Sequence, residues 1–412
     1  MAGFAVFSAR RAGAGPMRRA TVEMDHEMAH EGGEVTGVGR RASPWRRNRV
    51  VGLLPALVVA LASCGQAAPH TPSSTPTTTP IPTPSASSRP GPVPLADLKS
   101  VIHGLVDRTG PPPVDFLGSV TNFVVVAPWS ELQPTQGGPL ASDNAIDQAI
   151  AAAESLDAGA GQGTVDLKIR LMAGVDAPDW AKQLGGGAVD LVNPQSGTNA
   201  TVGRFWTSAF GEAYDDLWSK LAAAYDGVPA VHEITVARCM TFTDEPFLRN
   251  TGDPSNAQAL LAAGYSLAAD EQCEEQEIAL GTTWRHTRVG VAFNPYQAIE
   301  ADGSTTTDEP FTGTMMQYCR SQLGPQCVLE NNSIRTPPLA GAYSAMYLSM
   351  EELGVPMTFQ TASDDKIGDL QTTLSWAAGL GADAVELPQQ YVDQPAASLR
   401  AAASQLQANP AT

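Results

Sequence analysis

Apolar residues in this chain fall into short blocks separated by longer amphipathic stretches. Eight blocks, at 100–105, 122–127, 165–172, 233–237, 288–293, 327–330, 356–360 and 384–387, are mostly continuous Val, Ile, Leu and Phe. Runs of that length predict strands buried on both faces, the habit of parallel sheets. The stretches between them repeat at helical spacing. Ser142-Asp143 offers an N-cap to a run through Ala145, Ile146, Ala149 and Ile150. Phe205, Ala209, Tyr214, Leu217, Leu221 and Tyr225 line one helical face, and further helices are predicted at 340–353, 369–379 and 396–407. Gly354 and Gly379-Leu380-Gly381 supply stops for two of these. Trp206, Trp218 and Trp376 fall within helical stretches and read as packing residues.

Eight strands alternating with helices predict an α/β fold, a (β/α)8 TIM barrel, over residues 95–412. A two-lobed solute-binding fold is the alternative. It requires hinge strands crossing between lobes, and none is legible.

The first 94 residues follow other rules. Residues 1–44 are rich in Arg and Gly without helical or strand period, as expected of an extension ahead of the true translation start. Within 45–64, Arg46, Arg47 and Arg49 precede an apolar run from Val50 to Ala62, closed by Leu61-Ala62-Ser63-Cys64. Those 13 residues are well short of the roughly 20 needed to span a bilayer, and Pro55 interrupts them. Basic, apolar and small-residue regions in that order mark a secretory signal. The ending resembles the lipobox of bacterial lipoproteins. That resemblance implies lipidation of Cys64, export, and anchoring at the extracytoplasmic face of the cell membrane. Residues 65–94 are dense in Pro, Thr and Ser, too poor in apolar surface to fold, and predict an extended tether.

Removing the leader changes the charge. Of 25 Lys and Arg, nine lie in residues 1–64, leaving 16; of 43 Asp and Glu, five do, leaving 38. The remaining chain carries a net charge of −22, unsuited to nucleic acid or anionic lipid surfaces. A neutral glycan or oligosaccharide, bound by a monomer, fits better. Four cysteines remain beside Cys64. An even number in an exported domain suggests two disulfides: Cys319 with Cys327 as the local pair, then Cys239 with Cys273. There is no CxxC and no His pair at ligand spacing, so no metal is expected. P-loop, strand-linked GxGxxG and GxSxG motifs are absent, so no cofactor is expected either.

In a barrel, chemistry gathers where strands end. The second predicted strand runs into Ala127-Pro128-Trp129-Ser130-Glu131-Leu132-Gln133-Pro134, with Gly137-Gly138 behind it. The third contains Lys168 and Arg170, then Gly174, Asp176 and Ala177-Pro178-Asp179-Trp180. The fourth leads to Thr243-Asp244-Glu245-Pro246. This order resembles the clan of (β/α)8 retaining glycoside hydrolases that includes cellulase-like and β-galactosidase-like families. The resemblance implies hydrolysis of an O-glycosyl bond, with Glu245 as acid/base. Asp244 stands where the family has Asn. The chain also departs at strand seven, where the family's nucleophilic Glu is replaced by Gln360, an amide that would contact substrate instead.

The reaction needs two carboxyls flanking the glycosidic bond. Glu386, alternating with Val385 and Leu387, is the favoured second one; Glu330, Asp364 and Asp365 are the others near strand ends. Sugar faces pack on aromatic rings, and Trp129, Trp180, Tyr296 and Tyr391 lie near strand ends. Asn294, Gln297, Asn331 and Gln389 would supply amides, and Arg170 and Asp176 charge. Lys168 suggests Schiff-base chemistry, but its alternation with Arg170 favours a salt bridge. Without a second carboxyl the same barrel would be a non-catalytic carbohydrate-binding lipoprotein.

Overall fold

The structure, a computed structural model, describes residues 91–160 and 165–410. The leader, Cys64 and all but the end of the tether lie outside the described residues. Among the described residues, twelve strands form in chain order: β1 (Gly104–Asp107), β2 (Val120–Pro128), β3 (Leu167–Met172), β4 (Val189–Val192), β5 (Asn199–Val202), β6 (Val231–Thr235), β7 (Arg288–Ala292), β8 (Tyr296–Ile299), β9 (Thr305–Asp308), β10 (Cys327–Ile334), β11 (Met357–Thr361) and β12 (Ala384–Leu387). The helices are α1 (Trp129–Leu132), α2 (Ala145–Ala160), α3 (Asp179–Lys182), α4 (Ser208–Tyr225), α5 (Pro254–Ala262), α6 (Leu267–Leu280), α7 (Glu309–Leu323), α8 (Gly341–Leu353), α9 (Leu370–Gly379) and α10 (Ala396–Gln407).

Eight strands close into one parallel barrel in the order β1-β12-β11-β10-β7-β6-β3-β2. This is the (β/α)8 fold expected from the strand pattern. β4–β5 and β8–β9 are antiparallel hairpins outside it. Among the described residues, no helix is long and apolar enough to cross a membrane.

Three details differ from the sequence reading. β1 begins at Gly104 rather than at residue 100. Helix α2 is capped by Asn144, whose Oδ1 accepts the N–H of Ile146 and Asp147; Asp143 stands outside it with φ 56°. Trp206 likewise precedes α4 and packs edge-on against Phe205 and Tyr265. The two expected disulfides, Cys239–Cys273 and Cys319–Cys327, are formed.

Strand alternation sorts side chains into two interiors. Leu167, Ile169 and Leu171 of β3, with Val385 and Leu387 of β12, join the large core between sheet and helices. Among the described residues, the lumen holds a separate small apolar cluster of Ile102, Val106, Val124 and Ala384. Barrels of this kind are usually filled with Val, Ile and Leu. Here the wall of β3, β6, β10 and β12 turns Lys168, Arg170, Glu233, Glu330 and Glu386 onto one another instead. Gly290 of β7 makes room for them, since a Cβ there would sit 1.4 Å from Glu330 Oε1.

Candidate active site

The lumen charges form one continuous cluster. Lys168 Nζ lies 3.0 Å from Glu233 Oε1, 2.5 Å from Glu330 Oε2 and 3.0 Å from Glu386 Oε1. Arg170 Nη2 meets Glu386 Oε2 at 2.6 Å, and its Nε meets Asp244 Oδ2 at 2.5 Å. Arg170 therefore joins the strand β12 carboxylate to the loop after β6 that carries Glu245. That loop approaches the end of β3 closely: Val175 N–H donates to Thr241 C=O, and a Cβ on Gly174 would lie 2.0 Å from the same oxygen. Only a glycine, here at φ 45°, fits.

Burial and pairing set the charges in opposite directions. Burial alone would raise the Glu386 carboxyl, but Arg170 and Lys168 more than reverse it and hold Glu386 below the ordinary carboxylate range. Burial dominates at Glu330, where Lys168 only partly offsets it and Glu233 adds to it, so Glu330 keeps its proton well above that range. Burial would strip the Lys168 proton, but Glu233, Glu330 and Glu386 outweigh it and lock the ammonium in its charged form. An ammonium has no lone pair for Schiff-base formation, and the salt-bridge reading of Lys168 holds.

Glu245 is built from a different set of partners. Its Oε1 accepts from Asn294 Nδ2 at 2.8 Å and its Oε2 from the Thr243 hydroxyl at 3.1 Å. The Asn294 amide is oriented in turn: its Oδ1 accepts from Asn331 Nδ2 and from the Tyr343 hydroxyl, each at 3.3 Å. Asn331 is fixed by Phe293 C=O, Ser333 N–H and the Tyr347 hydroxyl. Asn331 thus positions Asn294 rather than facing a ligand. Arg249, the nearest basic residue in sequence, turns away from Glu245 to Asp270 and Glu274.

The remaining expected site residues divide by exposure. Gln360 lies beside Glu386 in strand register and donates to Asn332 C=O at 3.3 Å. Trp180 is half-buried, packed edge-on against Trp129, with Nε1 on Gln133 C=O. Asp176 is half-buried, and burial raises its carboxyl despite nearby Lys182. Three rings depart from expectation. Trp129 is enclosed by Trp180, Phe210 and Tyr214; Tyr296 is buried with its hydroxyl on Asp270; and Tyr391 is buried with its hydroxyl on Asp107. Each offers its faces to the protein interior rather than to a sugar. Asp364 and Asp365 are exposed. Gln297 accepts from the backbone of Arg249 and braces the loop.

Sequence reasoning missed Thr243, Tyr343 and Arg335. Tyr343 is half-buried near the start of α8, with the Arg335 guanidinium 5.1 Å from its ring centre and its hydroxyl on Asn294. The only available signal was an aromatic at a helix start following a barrel strand.

No family model matches the chain, and neither does any curated protein. Among solved structures, it is similar to the catalytic domain of β-amylase from Paenibacillus polymyxa, at 10% identity and TM-score 0.42 over 70% of this chain and 92% of that one. It is similar to endo-glycoceramidase II from Rhodococcus sp., at 13% identity and TM-score 0.40 over 73% and 76%. A GH5-4 broad specificity endoglucanase from an uncultured bacterium gives 11% identity and TM-score 0.42 over 70% and 82%. At TM-scores this low no residue role is carried across. The barrel rests on the strand order above.

Proposed function

We propose that this protein is an extracytoplasmic glycan-processing barrel that cleaves an O-glycosyl bond, with Glu245 as acid/base and Glu386 as the second carboxylate. The observation that carries this is Arg170, which touches both Asp244 and Glu386. It ties the loop bearing Glu245 to a carboxylate held ionised at the ends of the barrel strands. In a retaining reaction the Glu386 carboxylate attacks the anomeric carbon while Glu245 protonates the departing oxygen; water then releases the sugar as Glu245 takes back a proton. Trp180, Asp176 and Gln360 would meet the glycan. Export and a lipid on Cys64 belong to the same reading, supported by the lipobox and by two disulfides, which persist in oxidising compartments.

A second reading is favoured by one observation. Both Glu386 oxygens are engaged by cations and strand seven carries Gln360, an arrangement suited to a carbohydrate receptor without turnover. A glycan-hydrolysis screen of the protein beside Glu245→Gln separates the two. The enzyme reading expects a loss of about 10²-fold or more in the variant. Equal turnover in both proteins removes Glu245 as the acid, and binding without turnover establishes the receptor.

A further inference from the structure

The loop from residue 236 to residue 250, which carries Asp244 and Glu245, is gripped by one face of α6. Asp270, Cys273, Glu274 and Glu277 recur at helical spacing on that face, and all four are buried. Glu277 Oε2 accepts the N–H groups of Arg238 and Cys239, at 2.7 and 3.2 Å, where the chain leaves β6. Glu274 Oε1 accepts from Arg249 Nη2 at 2.5 Å. Arg249 in turn reaches the carbonyls of Cys239, Pro246 and Leu248. The Cys239–Cys273 disulfide pins the same segment covalently.

The other oxygens of this pair are unaccounted for. Glu274 Oε2 and Glu277 Oε1 are buried and meet no donor. An oxygen of each carboxyl and Cys239 Sγ lie within 4.8 Å of one another, and that sulfur is already bonded to Cys273. Two ionised carboxylates this close, away from water, would repel strongly. The surrounding charges show what relieves this. Arg238 and Arg249 face Asp270, Glu274 and Glu277, two guanidiniums against three carboxyls. One proton makes the cluster neutral. The phenols of Tyr214, Tyr265 and Tyr296 also face it, the last two donating to Asp270, and the exposed Asp215 faces Arg238 from α4.

We propose that Glu274 and Glu277 share a single proton, and that this acid–carboxylate pair is a pH-dependent positioning latch for the loop carrying Glu245. Burial raises both carboxyls above the ordinary range, with Arg249 opposing it at Glu274. The native pair therefore holds a proton that an unfolded chain releases above a carboxyl pKa of about 4.3. The latch is fully stabilising below that pH and is lost as pH rises through the pair's raised pKa. Within that window the unfolding constant rises by up to about tenfold per pH unit.

The test is urea unfolding of the full chain between pH 5 and pH 9, with hydrogen exchange of residues 238–249 corrected for the intrinsic rate. The wild type should weaken and its loop exchange faster as pH rises. Glu274→Gln and Glu277→Gln each reproduce the one-proton state with an amide, so each should flatten that dependence. The double variant sets amide against amide and should be destabilised at every pH. A wild type with no pH dependence in this window, or single variants that weaken in parallel with it, overturns the proposal. If the variants do not fold, the exchange of residues 238–249 in the wild type decides, because Glu330 also makes global unfolding depend on pH: exchange that does not accelerate with rising pH overturns the proposal. Loss of turnover alongside loop opening would follow only on the reading of Glu245 as the acid. Loop opening in a protein without turnover sustains the latch and removes that reading.

Discussion

The molecule buries two ionic clusters, and they are built on different principles. In the lumen, Lys168 and Arg170 pair with side-chain carboxylates: Glu233, Glu330, Glu386 and Asp244. Beside α6, Arg249 contacts two carboxylates and three main-chain carbonyls. A cation bound only by carboxylates sets their charge. A cation bound by carbonyls sets the path of the backbone. The lumen cluster accordingly decides which carboxyls are ionised, Glu386 being held down and Glu330 up. The α6 cluster decides where the loop bearing Glu245 lies. Burial is equally deep in both, so burial alone does not tell chemistry from scaffold.

Removing the cations should break this symmetry, and it carries the largest expected effect. Loss of one partner from a buried pair costs about 3–5 kcal/mol, so Lys168→Met and Arg249→Met should both be strongly destabilised near neutral pH. They should part on acidification. Without Lys168, Glu330 and Glu386 each lose a cation that opposes burial, and their carboxyls move upward in the folded state. Stability is then lost as pH rises through their pKa values and recovered as pH falls. Without Arg249, the carbonyls of Cys239 and Pro246 lose their side-chain donor at any pH, whereas Leu248 keeps the Thr241 hydroxyl. Urea midpoints at pH 4.5 and 7.5 check this: the Lys168 variant should regain much of its deficit, and the Arg249 variant only the part owed to Glu274, its lost carbonyl contacts being indifferent to pH. Parallel behaviour would mean that the two clusters are not distinct in kind.

The same contrast explains what the sequence could reveal. Leu167, Ile169 and Leu171 announce β3 because their outward face meets apolar helices. Alternation likewise turns Glu386 inward between Val385 and Leu387, as read. The partners of Lys168 were invisible, since Glu330 and Glu386 come from strands far along the chain whose register only the closed barrel fixes. Helix α6 escaped the pattern because three of its buried residues, Asp270, Glu274 and Glu277, are acidic, leaving Ile278 as its one large buried aliphatic. The β4–β5 and β8–β9 hairpins are short, and β9 is Thr305-Thr306-Thr307-Asp308, without an apolar alternation to follow. Trp129 was correctly seen near a strand end, but Phe210 and Tyr214 of α4, about 80 residues later, cover its ring. Local pattern reads a residue's own element, whereas the faces of a buried ring or charge are decided by elements that pattern does not connect.

A finer test adds charge to the lumen instead of removing it. Gln360 of β11 stands in register with Glu386 of β12. In Gln360→Glu a second carboxyl would share the field of Arg170, and like charges in one site raise a pKa by about one unit or more. If Glu386 is the working nucleophile it must be ionised, so activity disappears as pH falls through its pKa. The acid limb of the kcat/KM profile should then move upward by that amount, with about a tenfold loss one unit below the old limb. The basic limb, belonging to Glu245 on the other cluster's loop, should stay in place. Turnover gained by this variant would instead show that strand seven, not strand eight, is where the barrel requires its second carboxylate. A profile in which both limbs move together would mean that Arg170, through Asp244, transmits the added charge to the loop carrying Glu245.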